Sequence, residues 1–185
     1  MIEIFDDDYY ISGLKKKDVK VFENFIGEFS TLIFNYIYRI TGNHSDAEEI
    51  TQDAFIRAYK YSESIKEKSK LKPWLYAIAR NTAFSRLKLK KLSTVSIDEI
   101  QEPPARVEYN PENIVLEKEI QNQIKLAIDS LSIDLKEVFV LSEYEKFTYS
   151  EIAEFLNIPL GTVKSRMYYA VRKLIEFQKE IGEKK

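Results

Sequence analysis

The 185-residue sequence contains no cysteine, a single histidine (His44) and only five glycines. The lack of cysteine excludes a disulfide framework, thiolate metal ligands and a cysteine nucleophile, and it fits a reducing compartment. One histidine excludes a zinc site built from several histidines and argues against a catalytic triad. The glycines form no cluster that would cradle a phosphate group. We therefore expect no catalytic residue, no cofactor and no bound metal.

Long hydrophobic runs are also missing. The longest, such as Thr31–Ile37, fall far short of the ~18 apolar residues that a bilayer span requires. The amino terminus is acidic, which is the opposite of the basic start of a secretory signal. Hydrophobic residues still make up 44% of the chain, enough for the core of one domain or of two small ones. These features predict a cytoplasmic protein without direct membrane insertion.

The formal net charge of −2 conceals an uneven distribution of charged residues. An acidic stretch at residues 93–119 separates two basic clusters. Because screening confines each charge to about 8–10 Å, these clusters matter more for nucleic-acid binding than the net charge of the whole chain does. The first cluster comprises Arg80, Arg86, Lys88, Lys90 and Lys91, and the second comprises Lys164, Arg166, Arg172 and Lys173.

The first half of the chain has the apolar spacing of amphipathic helices. Apolar residues recur every three or four positions over Val21–Arg39, which predicts a long helix that ends at Gly42. Ser45 followed by Glu48 forms a capping-box pattern and predicts the start of the next helix. Pro73 suits the first turn of a third helix, which is expected to run towards the first basic cluster.

The second half begins with a change of composition. Residues 93–116 lack helical periodicity and contain three prolines among acidic side chains, so they predict an extended, flexible linker. Beyond it, the apolar spacing indicates one helix over Ile120–Leu131 and another over Leu135–Ser142. No strand pattern occurs anywhere in the sequence. The predicted fold class is all-α, with two small helical domains at residues 1–92 and 117–185.

The carboxy-terminal third carries the pattern of a helix-turn-helix. Thr148 with Glu151 forms a second capping box, Asn157-Ile158-Pro159 breaks the short helix, and Thr162 is expected to cap a longer one. Residues near the start of that longer helix would contact base edges in the major groove, and neighbouring cations would contact phosphates. An αα-hairpin with a solvated basic face is the alternative interpretation.

Three segments resemble conserved motifs of bacterial sigma factors. Asp46–Tyr59 resembles conserved region two, Pro73–Asn81 is similar to the continuation of that region, and Leu156–Arg166 resembles region four. They occur in family order and with family-like spacing over about residues 20–176. The chain has no room for the other conserved regions. It therefore resembles the small extracytoplasmic-function (ECF) group of the sigma-70 family.

This resemblance implies a promoter-specificity subunit of RNA polymerase with no enzymatic activity of its own. Residues 1–92 would bind core RNA polymerase and melt the minus-ten element, and residues 117–185 would bind the minus-thirty-five element of promoter DNA as duplex. Residues 93–116 would thread an enzyme channel, as family linkers do; on sequence grounds alone they are a solvated tether. The third implied partner is an anti-sigma factor, and a membrane-anchored anti-sigma factor is one form that this partner can take.

The resemblance also implies a polymerase-binding surface on the helix that follows Asp46. Polar side chains at three- and four-residue spacing share one face of this helix, and the matching family surface binds a coiled coil of the largest polymerase subunit. An ordinary solvated face is the alternative. A carboxylate metal site requires converging ligands, which outward-facing acids do not supply. The residues concerned are Glu49, Gln52, Asp53 and Arg57.

Recognition of the minus-ten element requires a pocket that stacks on a captured base and hydrogen-bonds its edge. Asn81 matches the family position that borders this pocket. In the capturing loop, Ile65, Glu67 and Lys68 depart from the family pattern, which leaves the captured base open. Trp74 is expected to be a core side chain rather than a stacking surface. The cations of this region would contact phosphates; a solvated cationic helix end is the alternative. The predicted minus-ten residues are Ser64, Ile65, Lys66, Lys68, Arg80, Asn81, Arg86 and Lys88.

Recognition of the minus-thirty-five element is implied for the last helix. Tyr169 stands where the family usually has arginine. Bidentate recognition of guanine by arginine contributes ~1–3 kcal/mol of discrimination, and tyrosine does not reproduce that geometry. We therefore expect a different preferred element. The predicted base-contacting or adjacent residues are Lys164, Ser165, Tyr168 and Tyr169, and the predicted phosphate contacts are Arg166 and Arg172.

Two other functions fit parts of the sequence. A self-sufficient helix-turn-helix regulator, with residues 1–92 as a sensor domain, would bind promoters tightly without polymerase and dimerise on a symmetric site. An enzyme based on Asp/Glu pairs would require a pocket of carboxylates with strongly shifted pKa values. The lack of clustered histidine and cysteine weighs against the enzyme.

Overall fold

The computed structural model describes residues 6–66, 70–93 and 122–182. Within these ranges the chain is helical and contains no strand, as predicted. It divides into two compact units, Met1–Ile100 and Gln101–Lys185. The predicted linker lies outside the described residues apart from Ser93, so its character and the predicted domain boundaries stay predictions. No helix in the described ranges combines the length and apolarity needed to cross a bilayer.

In the part of the first unit that the structure describes, there are four α-helices and a short 3-10 turn. The helices are α1 (Asp7–Lys15), α2 (Val19–Thr41), α3 (His44–Tyr61) and α4 (Leu71–Ser93), and the turn is Ser62–Ser64. The predicted long helix is confirmed as α2, with two more residues at each end. Helix α1 was not predicted from the sequence.

Helix α2 provides the centre of the first core and packs against the other three helices. Phe25, Phe29 and Tyr36 are fully buried on it. The Phe25 ring lies 4.9 Å from Phe29 and meets Phe55 of α3 edge to face at 5.7 Å, measured between centroids. Tyr36 contacts Tyr76 of α4 at 5.0 Å. Each such side chain contributes roughly 1.5–3 kcal/mol on burial, so this aromatic column holds the helices that carry the predicted sites.

The junction between α2 and α3 differs from the prediction in its cap. Gly42 ends α2 with a left-handed φ of 72°, as a glycine after a helix commonly does. The N-cap of α3 is Asn43, whose side chain accepts a hydrogen bond from the Asp46 amide at 2.9 Å. The predicted capping box of Ser45 and Glu48 is therefore wrong. Asparagine caps a helix as well as serine does, and Asn43 comes two positions earlier, directly after the turn.

The second unit contains α5 (described over 122–129), α6 (Ile133–Glu143), α7 (Tyr149–Leu156) and α8 (Leu160–Gly182). The capping box of Thr148 and Glu151 is confirmed at the start of α7. The predicted Thr162 cap is wrong, because α8 begins at Leu160, so that Thr162 already lies within the helix. The amides of Thr162 and Val163 donate hydrogen bonds to the Pro159 carbonyl. Core side chains fully buried in this unit are Val138, Val140, Leu141, Ile152, Val163 and Ala170.

Candidate polymerase-binding and DNA-binding surfaces

The outer face of α3 presents the predicted polymerase-binding residues together. Glu49, Gln52 and Arg57 are exposed and Asp53 is half-buried, while the opposite side of the helix is buried against α2 and α4. The same face carries Ile56, which is 66% exposed and which sequence reasoning did not select. An isoleucine in the middle of a charged helix face was the available signal. The face thus combines charge with an exposed apolar contact.

Arg86 of α4 connects this face with the first basic cluster. Its Nη1 donates a hydrogen bond to Oε2 of Glu49 on α3. The side chains of Arg86 and Glu49 are 41% and 57% exposed, respectively. The sequence assigned these two residues to different sites, polymerase and DNA, yet the fold brings their charged groups into contact. The two predicted sites therefore share a border.

One side of α4 carries Trp74, Asn81 and Lys88. These residues are spaced seven apart, which places them on the same face of the helix. Asn81 and Lys88 are exposed. Trp74 is half-buried, which is intermediate between the expected core side chain and an exposed stacking surface. Arg80 is half-buried, with its guanidinium 4.7 Å from the centroid of the Phe84 ring. This stacking orients the Arg80 cation along α4.

The segment between α3 and α4 is the predicted capturing loop. Ser64 and Lys66 are exposed, and the Ser64 hydroxyl donates to the Tyr61 carbonyl at 2.6 Å. Ile65 is only 2% exposed, so the prediction that its side chain contacts DNA does not hold in this structure. Its apolar side chain is more stable in the core and anchors the segment there. Lys68 lies outside the described residues.

Helix α8 presents one side of its first turns to solvent. Lys164 and Ser165 are exposed, and Tyr168 and Tyr169 are 62% and 54% exposed. Val163, Met167 and Ala170 are buried on the opposite side. The two tyrosine rings meet edge to face, with centroids 5.5 Å apart. Two large exposed rings next to a lysine form a surface that can contact base edges and phosphates.

The two arginines of α8 are both engaged by carboxylates. Arg166 is 25% exposed and its Nη2 lies 3.3 Å from Oδ1 of Asp134 on α6. Arg172 donates from Nε to Oε1 of Glu176 at 3.0 Å, and this hydrogen bond raises the pKa of Arg172. Both arginines line an open cleft of about 450 Å³. Within the described ranges, no group of three or more His, Cys, Asp or Glu side chains is arranged to hold a metal ion.

Comparison with known proteins matches each unit to a family. Residues 25–92 match Sigma-70 region 2, and residues 121–174 match Sigma-70, region 4. The ECF RNA polymerase sigma factor SigW of Bacillus subtilis is 34% identical over 166 residues, which cover 85% of this chain and 89% of SigW. The ECF RNA polymerase sigma-E factor of Escherichia coli is 29% identical over 178 residues, covering 92% and 93% of the two chains.

Solved structures show the same fold. The sigma factor RpoE of Bartonella quintana, solved in complex with the anti-sigma factor NepR, has a TM-score of 0.69 at 26% identity, over 87% of this chain and 98% of RpoE. CnrH, solved with the cytosolic domain of CnrY, has a TM-score of 0.72 at 14% identity, over 94% and 97% of the two chains.

The two helical units and the exposed face of the helix-turn-helix define a DNA-binding transcription factor. The chain belongs to the ECF group of the sigma-70 family of RNA polymerase sigma factors. It is thus a transcription initiation factor whose partners are core RNA polymerase and promoter DNA. Sigma factors as a class are not enzymes. The sequence motifs that suggested this family are confirmed by the matched ranges.

Proposed function

We propose that the outer face of α3 binds core RNA polymerase. Glu49, Gln52, Asp53 and Arg57 lie on one side of a helix whose other side is fixed in the core. Ile56, 66% exposed on the same side, adds an apolar contact of the kind that is enriched at the centre of protein interfaces. The charged residues around it give the contact its orientation.

The minus-ten element is assigned to Ser64, Lys66 and the outer side of α4. Asn81 offers an amide that both donates and accepts, which suits recognition of an unpaired base edge. The half-buried Trp74, about two helical turns before it, would offer its indole for stacking. Arg80, Arg86 and Lys88 supply phosphate contacts. Lys68 is kept in the assignment from sequence alone.

The minus-thirty-five element is assigned to α8. Lys164, Ser165, Tyr168 and Tyr169 face solvent near the start of the helix and would enter the major groove. Arg166 and Arg172 would contact phosphates at the border of this face. The single observation that carries the DNA-binding assignment is the pair of tyrosines more than half exposed opposite the buried Val163, Met167 and Ala170.

Regulation by an anti-sigma factor is part of the same proposal. RpoE of Bartonella quintana, which is 26% identical, was solved with its anti-sigma factor NepR. We infer that this chain binds a protein of the same class, acts in the cytoplasm and has no enzymatic activity of its own. Catalysis of RNA synthesis then belongs entirely to the polymerase.

The test is transcription in vitro with sigma-free core polymerase and a promoter library, with start sites mapped by sequencing. The proposal expects start sites that require this protein, and their loss on Tyr168→Ala but not on the matched control Lys179→Ala, which changes an exposed residue near the end of α8. Start sites that are identical with and without the protein contradict the proposal. Tight promoter binding without polymerase, as a symmetric dimer, indicates the stand-alone regulator instead.

A further inference from the structure

Helix α1 lies outside both family matches, which begin at residues 25 and 121, and no proposed site uses it. It is nevertheless firmly packed, with Leu14 fully buried and Tyr10 and Ile11 less than 10% exposed. At Gly13 the chain passes so close to α2 that an added Cβ would lie 2.5 Å from Cγ1 of Val21. The position of α1 against the rest of the unit is therefore closely defined.

Lys17, two residues after α1, reaches the far end of α3. Its Nζ donates to the Tyr59 carbonyl, lies 3.0 Å from the Ser62 hydroxyl oxygen and stands 4.7 Å from the centroid of the Tyr59 ring. The last carbonyls of a helix lack partners within the helix and carry its negative dipole end. Lys17 therefore satisfies this end of α3 and holds the 3-10 turn that follows. Its own backbone takes a left-handed φ of 57°.

Asp7, the first residue of α1, reaches the start of α4. Its Oδ2 accepts a hydrogen bond from the Leu71 amide at 3.3 Å. The first amides of a helix also lack internal partners, and a carboxylate there complements the positive dipole end. Residues 64 positions apart in sequence are thus joined. Leu71 is fully buried, so this contact fixes where α4 begins.

These two contacts bracket the chain segment assigned to the minus-ten element. We infer that α1, together with Asp7 at its start and Lys17 two residues after its end, is a brace that positions the exposed Ser64 and Lys66 and the start of α4 for capture of the unpaired base. Asp7 and Lys17 are positioning residues that do not themselves contact DNA. The inference rests on the proposed minus-ten site. Positioning of this kind affects rates because a misplacement of about 1 Å can cost ~100-fold in reactions that depend on orientation.

The experiment compares Lys17→Met and Asp7→Ala with the matched controls Lys16→Met and Asp8→Ala, which remove the same charges from exposed neighbours. Each full-length variant is assembled with core polymerase. Binding to core is measured by fluorescence anisotropy, and promoter opening by 2-aminopurine fluorescence on a duplex promoter and on a promoter with the minus-ten bases already unpaired.

Brace variants are expected to slow opening of the duplex promoter about tenfold relative to their controls, with core affinity changed less than twofold. They should also bind the unpaired minus-ten bases more weakly. Lys17→Arg and Asp7→Asn, which keep a donor and an acceptor, should restore part of the rate. A merely structural role would instead lower core affinity and the melting temperature in proportion to opening, and it would show no such rescue.

Opening rates equal to those of the controls, or losses of opening that match losses of core binding, overturn the inference. If Lys17→Met does not fold, Asp7→Ala decides: promoter opening at the rate of its control Asp8→Ala overturns the inference. Failure of the wild-type protein to bind core or open any promoter would contradict the proposed function itself, which is a distinguishable result.

Discussion

The carboxylate of Glu49 on α3 accepts a hydrogen bond from the guanidinium of Arg86 on α4, and both groups remain open to solvent. The pair lies at the border between the proposed polymerase-binding face and the proposed minus-ten site. Polymerase that engages Glu49 would release Arg86 to a phosphate. This ion pair therefore places the two proposed binding sites next to each other.

The first prediction concerns the strength of this pair. Exposed ion pairs contribute little to stability, typically ~0.2–1 kcal/mol, so a double-mutant cycle of Glu49→Gln and Arg86→Gln should give a coupling free energy of unfolding in that range. The measurement is urea denaturation at low and high salt, with smaller coupling at high salt. A coupling above about 2 kcal/mol would show that the pair behaves as a buried one.

The second prediction concerns the upstream promoter element. Replacing Tyr169 with arginine should introduce a preference for guanine at one base pair, by ~1–3 kcal/mol, because arginine donates two hydrogen bonds to guanine. Binding to a randomised promoter library by the holoenzyme, followed by sequencing, measures this shift. Lys179→Arg, changed at an exposed site near the end of α8, should leave the preference as it is. The same library profile for Tyr169→Arg and wild type would remove Tyr169 from the base-contacting set.

The third prediction separates binding from melting. Asn81→Ala should weaken open-complex formation at least ~10-fold more than closed-complex binding, since its amide is assigned to an unpaired base. Permanganate reactivity of thymines reports opening, and footprinting in the cold reports the closed complex. Ser85→Ala, on an exposed neighbouring position of α4, is the control. Equal losses in both complexes would mean that Asn81 contacts duplex DNA instead.

The fourth prediction concerns two helical glycines, Gly13 of α1 and Gly27 of α2. Gly13→Ala should destabilise the first unit by ~1–3 kcal/mol through overpacking, because the new Cβ would lie 2.5–2.7 Å from three side-chain atoms of Val21. Gly27→Ala meets nothing within 4 Å and should stabilise α2 by ~0.5–1 kcal/mol. Chemical denaturation of both variants tests the contrast. Similar effects of both substitutions would show that α1 is not held closely against α2.

The fifth prediction concerns alkaline pH. Burial and a hydrogen bond to Glu28 raise the pKa of Tyr10 from 10.0 to about 12. Between these two pH values the folded protein keeps the phenol proton and the unfolded chain releases it. The contribution of Tyr10 to the free energy of unfolding is therefore complete below pH 10 and is lost as the pH rises towards about 12. Denaturation at several pH values measures this. Tyr10→Phe should flatten the fall in the free energy of unfolding with pH, and Tyr9→Phe, at an exposed neighbour, should not. Equal slopes of the free energy of unfolding against pH in the two variants would contradict the raised pKa of Tyr10.

Much of the fold was predictable because its signals are local. The apolar spacing of α2, the left-handed Gly42 and the box of Thr148 and Glu151 depend on residues within one or two turns of each other. The cap of α3 was misplaced by two residues, since Asn43 and Ser45 are equally good caps and only the path of the chain after Gly42 selects between them. Burial of Ile65 depends on the packed helices around it.

The candidate site was less accessible to sequence reasoning. Spacing alone placed Glu49, Gln52 and Arg57 on one face of α3, but not the ion pair to Arg86, which joins residues 37 positions apart. Helix α1 was missed although Asp6 caps it, because its short apolar pattern resembles that of many loops. Its contacts from Asp7 and Lys17 become visible only once the fold closes. Contacts between distant segments are set by tertiary structure.

The engagement of Arg166 by Asp134 and of Arg172 by Glu176 affects how ionic strength should act on the upstream contact. Each phosphate neutralised by a free cation releases condensed counterions and steepens the logarithmic dependence of affinity on salt by about 0.9 per contact. An arginine that must first break its ion pair with a carboxylate gains less binding free energy when it contacts a phosphate. The number of positive charges on α8 therefore overstates the number of counterions that its binding to duplex DNA would release.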